Sequence, residues 1–206
     1  MDEIILIGSG GHARACIDVI ELSGQFKIVG FVEKNEKDNQ VSLGYPIIGT
    51  DDELQDLRRN VAYALVTIGQ LKSCAKRIKL FQKLQGLDYQ LPPIVSPRSY
   101  VSKHANIGEG TIVMHDALVN ANAKIGENCI INSKALIEHD AKIGDHCHIA
   151  TGAIVNGEVI VGSKTFIGSG TVTKQCISIG NNCFINANLI LKTDIDSGKD
   201  INLPLH

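Results

Sequence analysis

The sequence predicts an α/β domain followed by a solenoid of parallel β-coils, and three patterns carry that prediction. From Val101 to Leu191 an aliphatic residue returns at every sixth position, with Thr173 as the single exception. Glycine follows that residue at Gly108, Gly126, Gly144, Gly162 and Gly180, each eighteen residues from the next. Ahead of the repeat, short apolar runs alternate with helix-like stretches, the order expected of a parallel sheet with crossover helices.

In chain order, Ile4-Ile5-Leu6-Ile7 reads as a buried strand, Gly8 to Ala13 as a glycine-rich turn and Arg14 to Leu22 as a helix. Lys27 to Val32 reads as a second strand ending at Glu33, Ala64 to Ile68 as another, and Lys72 to Gln85 as a further helix. Pro92-Pro93 closes the region, which divides the chain into residues 1–95 and 96–206. Gly8, Gly10 and Ala13 fit G-x-G-x-x-A between a strand and a helix, the context in which that pattern means something. Its glycines let the backbone approach a phosphate, and the helix start offers free N–H groups and a partial positive charge. Glu33 is placed to accept hydrogen bonds from a ribose or base. The alternative is a tight turn that binds nothing. Roughly 93 residues are too few for the six strands of a full dinucleotide fold, so a Rossmann-like domain for a mononucleotide or nucleotide sugar is expected.

A strict period of six belongs neither to a helix nor to a plain strand; a hexapeptide β-helix produces it. Small residues recur four places after the aliphatic one, as at Ala117, Ala123, Cys129, Ala135, Ala141, Cys147 and Ala153. The aliphatic residue and the small residue two before it point inward, and the residue between them points outward. Three hexads make a triangular coil, with glycine expected to relieve the backbone at the tightest corner. About five such coils bury a continuous core that no single repeat could form.

Composition narrows the function classes. The 206 residues carry a net charge of −2, which gives no basic surface for nucleic acid. Met1-Asp2-Glu3-Ile4 has no basic segment ahead of its apolar run, and no apolar stretch approaches the ~18 residues of a membrane span. A cytoplasmic location is expected. Cys129, Cys147 and Cys183 occupy the small inward slot, while Cys16, Cys74 and Cys176 show no paired or metal-ligand spacing.

Chemistry is expected at the corners of the coils. Glu138-His139-Asp140 is one corner, between inward Ile137 and inward Ala141, so His139 is not a core histidine. A neutral imidazole accepts a proton near pH 7, and a neighbouring carboxylate orients it. A solvated polar corner is the bland alternative. His146 lies at a corner without a comparable apolar setting, and His104 and His115 suggest no role.

The outward residues bear on assembly. One face carries Asn106, Lys124, Lys142, Ile160 and Ser178, a second Ile112, Ile130, His148, Phe166 and Phe184, and a third Leu118, Leu136, Ile154, Val172 and Ile190. Two faces are apolar and need cover. They meet at the corner of Asn132 to Lys134, so threefold packing is expected there, with His148 facing a cleft that ends near His139 of the adjoining chain.

Taken together, Gly8-Ser9-Gly10-Gly11-His12, Ile68-Gly69, Asn132, Ile137-Glu138-His139-Asp140, His148, Gly152 and Gly157 resemble the bacterial sugar acetyltransferases of the sialic-acid O-acetyltransferase (NeuD) and UDP-4-amino-sugar N-acetyltransferase (PglD) type. The likeness runs from Ile4 to about Leu191. It implies a left-handed coil, a homotrimer, acetyl-CoA in the groove between neighbouring coils, and a nucleotide sugar held by the N-terminal domain. It implies His139 as general base with Asp140 as orienting carboxylate, and Asn132, His148 and Gly157 around the acetyl donor, the last through its N–H. Gly10, Gly11 and His12 match the loop around the sugar nucleotide's phosphates; Glu33 and Lys34 fall where uridine is read, and Gly69 joins that site. No metal is required by such a reaction.

Three features qualify the resemblance. The family follows its Ile-Gly pair with Asn-Asn and then an arginine, whereas Gly69 here leads to Gln70-Leu71-Lys72-Ser73-Cys74. The closing coil reads Ile185-Asn186-Ala187-Asn188, and the chain ends Asn202-Leu203-Pro204-Leu205-His206 in place of a Gly-x-Pro-Ala tail. The corner that holds His139 is intact. The expected reaction is acetyl transfer to the 4-amino group of a UDP-linked amino sugar. Its rivals are O-acetylation of sialic-type acids, a zinc site of His115, His139 and His148 as in β-helical carbonic anhydrases, and a non-catalytic sugar-nucleotide-binding trimer.

Overall fold

The computed structural model describes residues 1–34, 42–70 and 72–202; the expectations for Leu71 and for the tail at 203–206 lie outside them. Strand β1 (Asp2–Ile7) leads into helix α1 (Gly11–Ser23), β2 (Phe26–Glu33), β3 (Ile47–Thr50), a short helix α2 (Leu54–Leu57), β4 (Tyr63–Val66) and helix α3 (Ala75–Gly86). The four strands form a parallel sheet in the order β3-β2-β1-β4. The run Ile4 to Ile7 sits at its centre, buried on both faces, which explains why it is apolar without alternation. Helix α1 covers one face through Ala13, Cys16, Ile17 and Ile20, and α2 and α3 cover the other through Leu54, Leu80, Phe81 and Leu84. Helix α1 stops at Gly24, whose left-handed backbone (φ 62°) lets its N–H cap the carbonyls of Ile20 and Glu21.

The coil begins with Ile94–Val95, already paired to Ile112–Val113 of the next turn. Two-residue strands then recur at every hexad and stack in parallel into three sheets, of seven, six and five strands. Their inward residues form one unbroken core that runs from Val113 to Ile195 and includes Cys129, Cys147 and Cys183.

Two expectations are corrected. The glycines spaced by eighteen do not supply a left-handed backbone; that conformation falls two residues later, on Gly110, Asn128, His146, Lys164 and Asn182. The glycines are there for lack of space, since an added Cβ on Gly144 would lie 2.6 Å from the Ser163 backbone nitrogen in the next coil. The second apolar face is covered by the chain itself. Ile112 and Ile130 are fully buried in a shared core with α1, and His148 and Phe166 are almost as deeply buried. The third face, with Leu118, Leu136, Ile154 and Val172 half-buried and Ile190 58% exposed, is the apolar surface that remains open.

Candidate active site

Two clefts come from different parts of the triangle, one on a face and one at a corner. The larger, about 690 Å³, lies between the strand ends of the N-terminal sheet and the second coil face. Gly8, Gly10, Gly11, His12, Glu33, Gly69 and His148 line it, joined by Lys72 and Lys76. Gly8 adopts φ 101°, which turns the chain from β1 towards α1. No side chain among the described residues caps the α1 N-terminus, so its first-turn N–H groups are open to the cleft. Glu33 accepts hydrogen bonds from the Ser9 N–H and from the Ser9 hydroxyl at 2.7 Å, tying the loop to the end of β2. Lys34 is exposed and does not line the cleft.

Within the protomer, His148 faces the Gln70 loop of its own chain. Its Nδ1–H donates to the Gln70 carbonyl at 2.8 Å, and its Nε2 accepts from Asn132 Nδ2 at 3.1 Å. That pairing suits a neutral ring of one tautomer. Burial, with the Arg77 charge nearby, lowers its pKa to about 4 despite the Gln70 bond. His12 is driven to about 3 by burial first, then by Arg77 and His148.

Arg77 was not singled out from the sequence. No arginine closely follows Gly69, yet this one reaches back from α3, fully buried, to donate to the carbonyls of Val66 (3.0 Å) and Ile68 (2.7 Å). Its second terminal nitrogen, Nη2, donates to the Asn128 side-chain oxygen at 2.7 Å and to the Asn128 carbonyl at 3.2 Å. It thereby fixes the loop that holds His148 to the corner of the coil. The signal in the sequence was a basic residue on the apolar stripe of an amphipathic helix.

The second cleft, about 330 Å³, is lined by Glu138, His139, Asn156, Gly157, Glu158, Gln175 and Cys176. It shares no residue with the first. Asp140 takes a left-handed backbone (φ 62°), which folds its carboxylate back to accept from His139 Nδ1–H at 2.8 Å. Its other oxygen accepts from Asn122 Nδ2 at 2.6 Å. The Asp140 hydrogen bond raises the His139 pKa above the ordinary imidazole value. Asn122 first and His139 second hold the Asp140 carboxyl below its own. His139 Nε2 carries no hydrogen bond among the described residues, and the ring lies against Gly157, where an added Cβ would come within 2.9 Å of Nε2 and Cε1. The Gly157 N–H likewise has no partner among the described residues. An open base beside an open N–H donor is an arrangement suited to acyl transfer.

His115 and His146 serve structural contacts. His115 bridges Ser96 Oγ at 2.6 Å and the Asp18 carboxylate at 2.7 Å, clamping α1 to the coil. His146, expected to lack an apolar setting, meets the edge of Phe81 at 5.9 Å and pairs with Asn128. His115, His139 and His148 do not converge within the protomer, and no group of three or more His, Cys, Asp or Glu among the described residues could hold a metal ion.

Known proteins share this fold. Residues 3–84 match the PglD N-terminal domain, residues 104–139 and 122–157 the bacterial transferase hexapeptide (six repeats), and residues 158–192 the hexapeptide repeat of succinyl-transferase. A perosamine N-acetyltransferase from Caulobacter crescentus, solved as a variant with asparagine in place of one histidine and with CoA and GDP-perosamine, is 28% identical, with a TM-score of 0.91 over 99% of this chain and 95% of that one. The acetyltransferase domain of PglB from Neisseria gonorrhoeae, in complex with acetyl coenzyme A, is 26% identical, with a TM-score of 0.91 over 98% of each chain. WeeI from Acinetobacter baumannii, 20% identical over 98% of this chain and 97% of that one, shares the fold at a TM-score of 0.81. No curated protein sequence matches the chain.

The N-terminal α/β domain and the left-handed parallel β-helix define a hexapeptide-repeat acyltransferase. Within that class the chain belongs to the PglD-type sugar acetyltransferases and is an acetyl-CoA-dependent acetyltransferase.

Proposed function

We propose that the enzyme acetylates the 4-amino group of a UDP-linked amino sugar, with His139 as general base, in a cleft shared by neighbouring subunits of a homotrimer. The observation that carries this reading is the His139–Asp140 pair, its Nε2 open beside the open Gly157 N–H. The GDP-perosamine bound to the Caulobacter relative supports a nucleotide sugar as the acceptor class, and the N-acetyltransferase activity of that relative favours an amine over a sialic-type hydroxyl.

The acceptor amine attacks the thioester carbonyl, forming the C–N bond and a negative oxygen that the Gly157 N–H stabilises. His139 Nε2 takes the proton the amine sheds, while Asp140 stabilises the resulting imidazolium. As the C–S bond breaks, that proton passes to the departing CoA sulfur, and the neutral base is restored. Holding both substrates together supplies the proximity contribution, so no covalent enzyme intermediate is needed.

The acceptor cleft and the His139 cleft share no residue within one protomer, so the reading needs a neighbour. Packing of the open third face, Leu118 to Ile190, against another copy would bring the His139 corner of one chain towards the acceptor cleft of the next. Sedimentation showing a stable monomer would remove the shared site. The direct test is thiol release from acetyl-CoA with UDP- and GDP-linked 4-amino sugars and free sialic-type acids. UDP-amino sugar turnover is expected, falling at least ~100-fold in His139→Ala with assembly intact. Undiminished turnover in that variant would refute the assignment.

A further inference from the structure

Thr173, the one interruption of the hexad, stands in the same inward column as Ile137 and Val155, one coil on from the corner of Gly157 that His139 lies against. At this corner the residue after each inward residue of the third-face strands donates its N–H to the carbonyl of the inward residue one coil on. Ser102 donates to Val119 (2.9 Å), Asn120 to Ile137 (2.9 Å), Glu138 to Val155 (2.9 Å) and Lys174 to Leu191 (2.7 Å). Asn156 departs from this. Its N–H donates to Thr173 Oγ1 at 2.9 Å, and its side-chain Nδ2 takes the Thr173 carbonyl at 2.5 Å. The strand register shows the same fault, because Ile154 pairs with Val172 but Val155 and Thr173 do not pair. The rungs on either side are complete.

This exchange decides what the asparagine side chain does. Asn120, Asn132 and Asn186 occupy the same hexad position, and each turns its Oδ1 to accept the next residue's N–H, at 2.8, 2.8 and 2.9 Å. Glu138 Oε2 does the same for the His139 N–H at 3.1 Å. Asn156, held downward by Thr173, leaves the Gly157 N–H uncovered. The buried hydroxyl in an otherwise aliphatic column thus coincides with the uncapped N–H beside the imidazole.

We propose that Thr173 and Asn156 are positioning residues that keep the Gly157 N–H free for the oxyanion of acetyl transfer, an inference that rests on the reading of this corner given above. Thr173→Val conserves volume and restores the aliphatic hexad. The Asn156 N–H then returns to the main-chain carbonyl at 173, and the released side chain caps Gly157 as its three counterparts do. The expected result is a kcat loss on the order of 100-fold, the usual cost of one oxyanion donor. KM for acetyl-CoA stays within about twofold and the melting temperature stays within a few degrees, since a main-chain hydrogen bond replaces the one lost with the hydroxyl. Thr173→Ser, which keeps the hydroxyl, retains most of the turnover, and adding Asn156→Ala to Thr173→Val removes the cap and recovers most of what was lost.

Amide hydrogen exchange reads the same event without any acceptor, and Gly157 exchange is expected to slow at least ~10-fold in Thr173→Val. A folded Thr173→Val enzyme with wild-type kcat, or with unchanged Gly157 exchange, overturns the proposal. The His139→Ala variant separates the two levels. If it stays active, the acetyl-transfer reading of this corner fails; if it is inactive while Thr173→Val is not, only the roles of Thr173 and Asn156 fail.

Discussion

Replacing Gly157 with alanine tests how closely the base is positioned. The new methyl would lie 2.9 Å from both Cε1 and Nε2 of His139, whereas comfortable contacts begin near 3.5 Å, so the ring must retreat by about 0.6 Å or more. It has room to do so, because the His139 side chain is 54% exposed. Gly157 is not in the left-handed region, so alanine brings no backbone strain, and the cost to folding should stay within about 1 kcal/mol. The ring is tethered at Nδ1 to Asp140, so retreat swings Nε2 away from the reacting nitrogen. Misplacement on the order of 1 Å costs about 100-fold in rate. Because alanine keeps the N–H, the substitution isolates the base from the oxyanion donor. Steady-state thiol release should show kcat reduced roughly 30- to 100-fold with the melting temperature within a few degrees of wild type. Unchanged kcat in a folded Gly157→Ala enzyme would refute either the role of His139 or its positioning by Gly157.

Asp140 raises the His139 pKa, and the base works only when unprotonated, so kcat/KM should climb with pH through a limb lying above the ordinary imidazole value. Asp140→Asn should move that limb to lower pH while reducing the plateau; a limb that stays put would separate Asp140 from the titration. His148 has its pKa depressed from 6.5 to about 4 by burial, so the unfolded chain binds more protons than the native one between those values. Stability is then full above pH 6.5 and declines as pH falls towards 4, by about 3 kcal/mol from this residue. Urea titrations at pH 7 and pH 4.5 should show a decline smaller by about 2 kcal/mol in His148→Gln, which can keep both hydrogen bonds, and an identical decline would refute the assignment.

The coil was legible in the sequence because its core tolerates one residue type at a fixed interval, and Ile137, Ile143 and Ile149 cannot serve any other periodic structure. The Gly8 to Ala13 turn was legible for a similar reason, being a local pattern between two local elements. Less regular parts were hidden. Strand β3 and helix α2 are short, and Ile47 to Thr50 is half-buried throughout, which blurs any alternation. The cover over Ile112 and Ile130 was unreadable because their oily side chains look alike whether a second copy or α1 lies on top. His139 and Asp140 could be found as neighbours in one corner. Asn132 and His148 make contact across 16 positions, and Gln70 completes the set from 78 positions away, so their grouping depended on the tertiary arrangement. The interruption at Thr173 was visible as a letter but not as a switch of hydrogen bonds.

Ile94, Ile112, Met114 and Ile130 belong to the same buried cluster as Ile4, Leu6 and α1. The two halves are therefore not separable cassettes. Swapping the front half for that of a relative would have to carry those four coil positions along, or leave a mismatched seam under α1. Recombination among such enzymes, natural or engineered, should then favour crossovers placed below that seam, past Ile130, over a cut at the domain boundary.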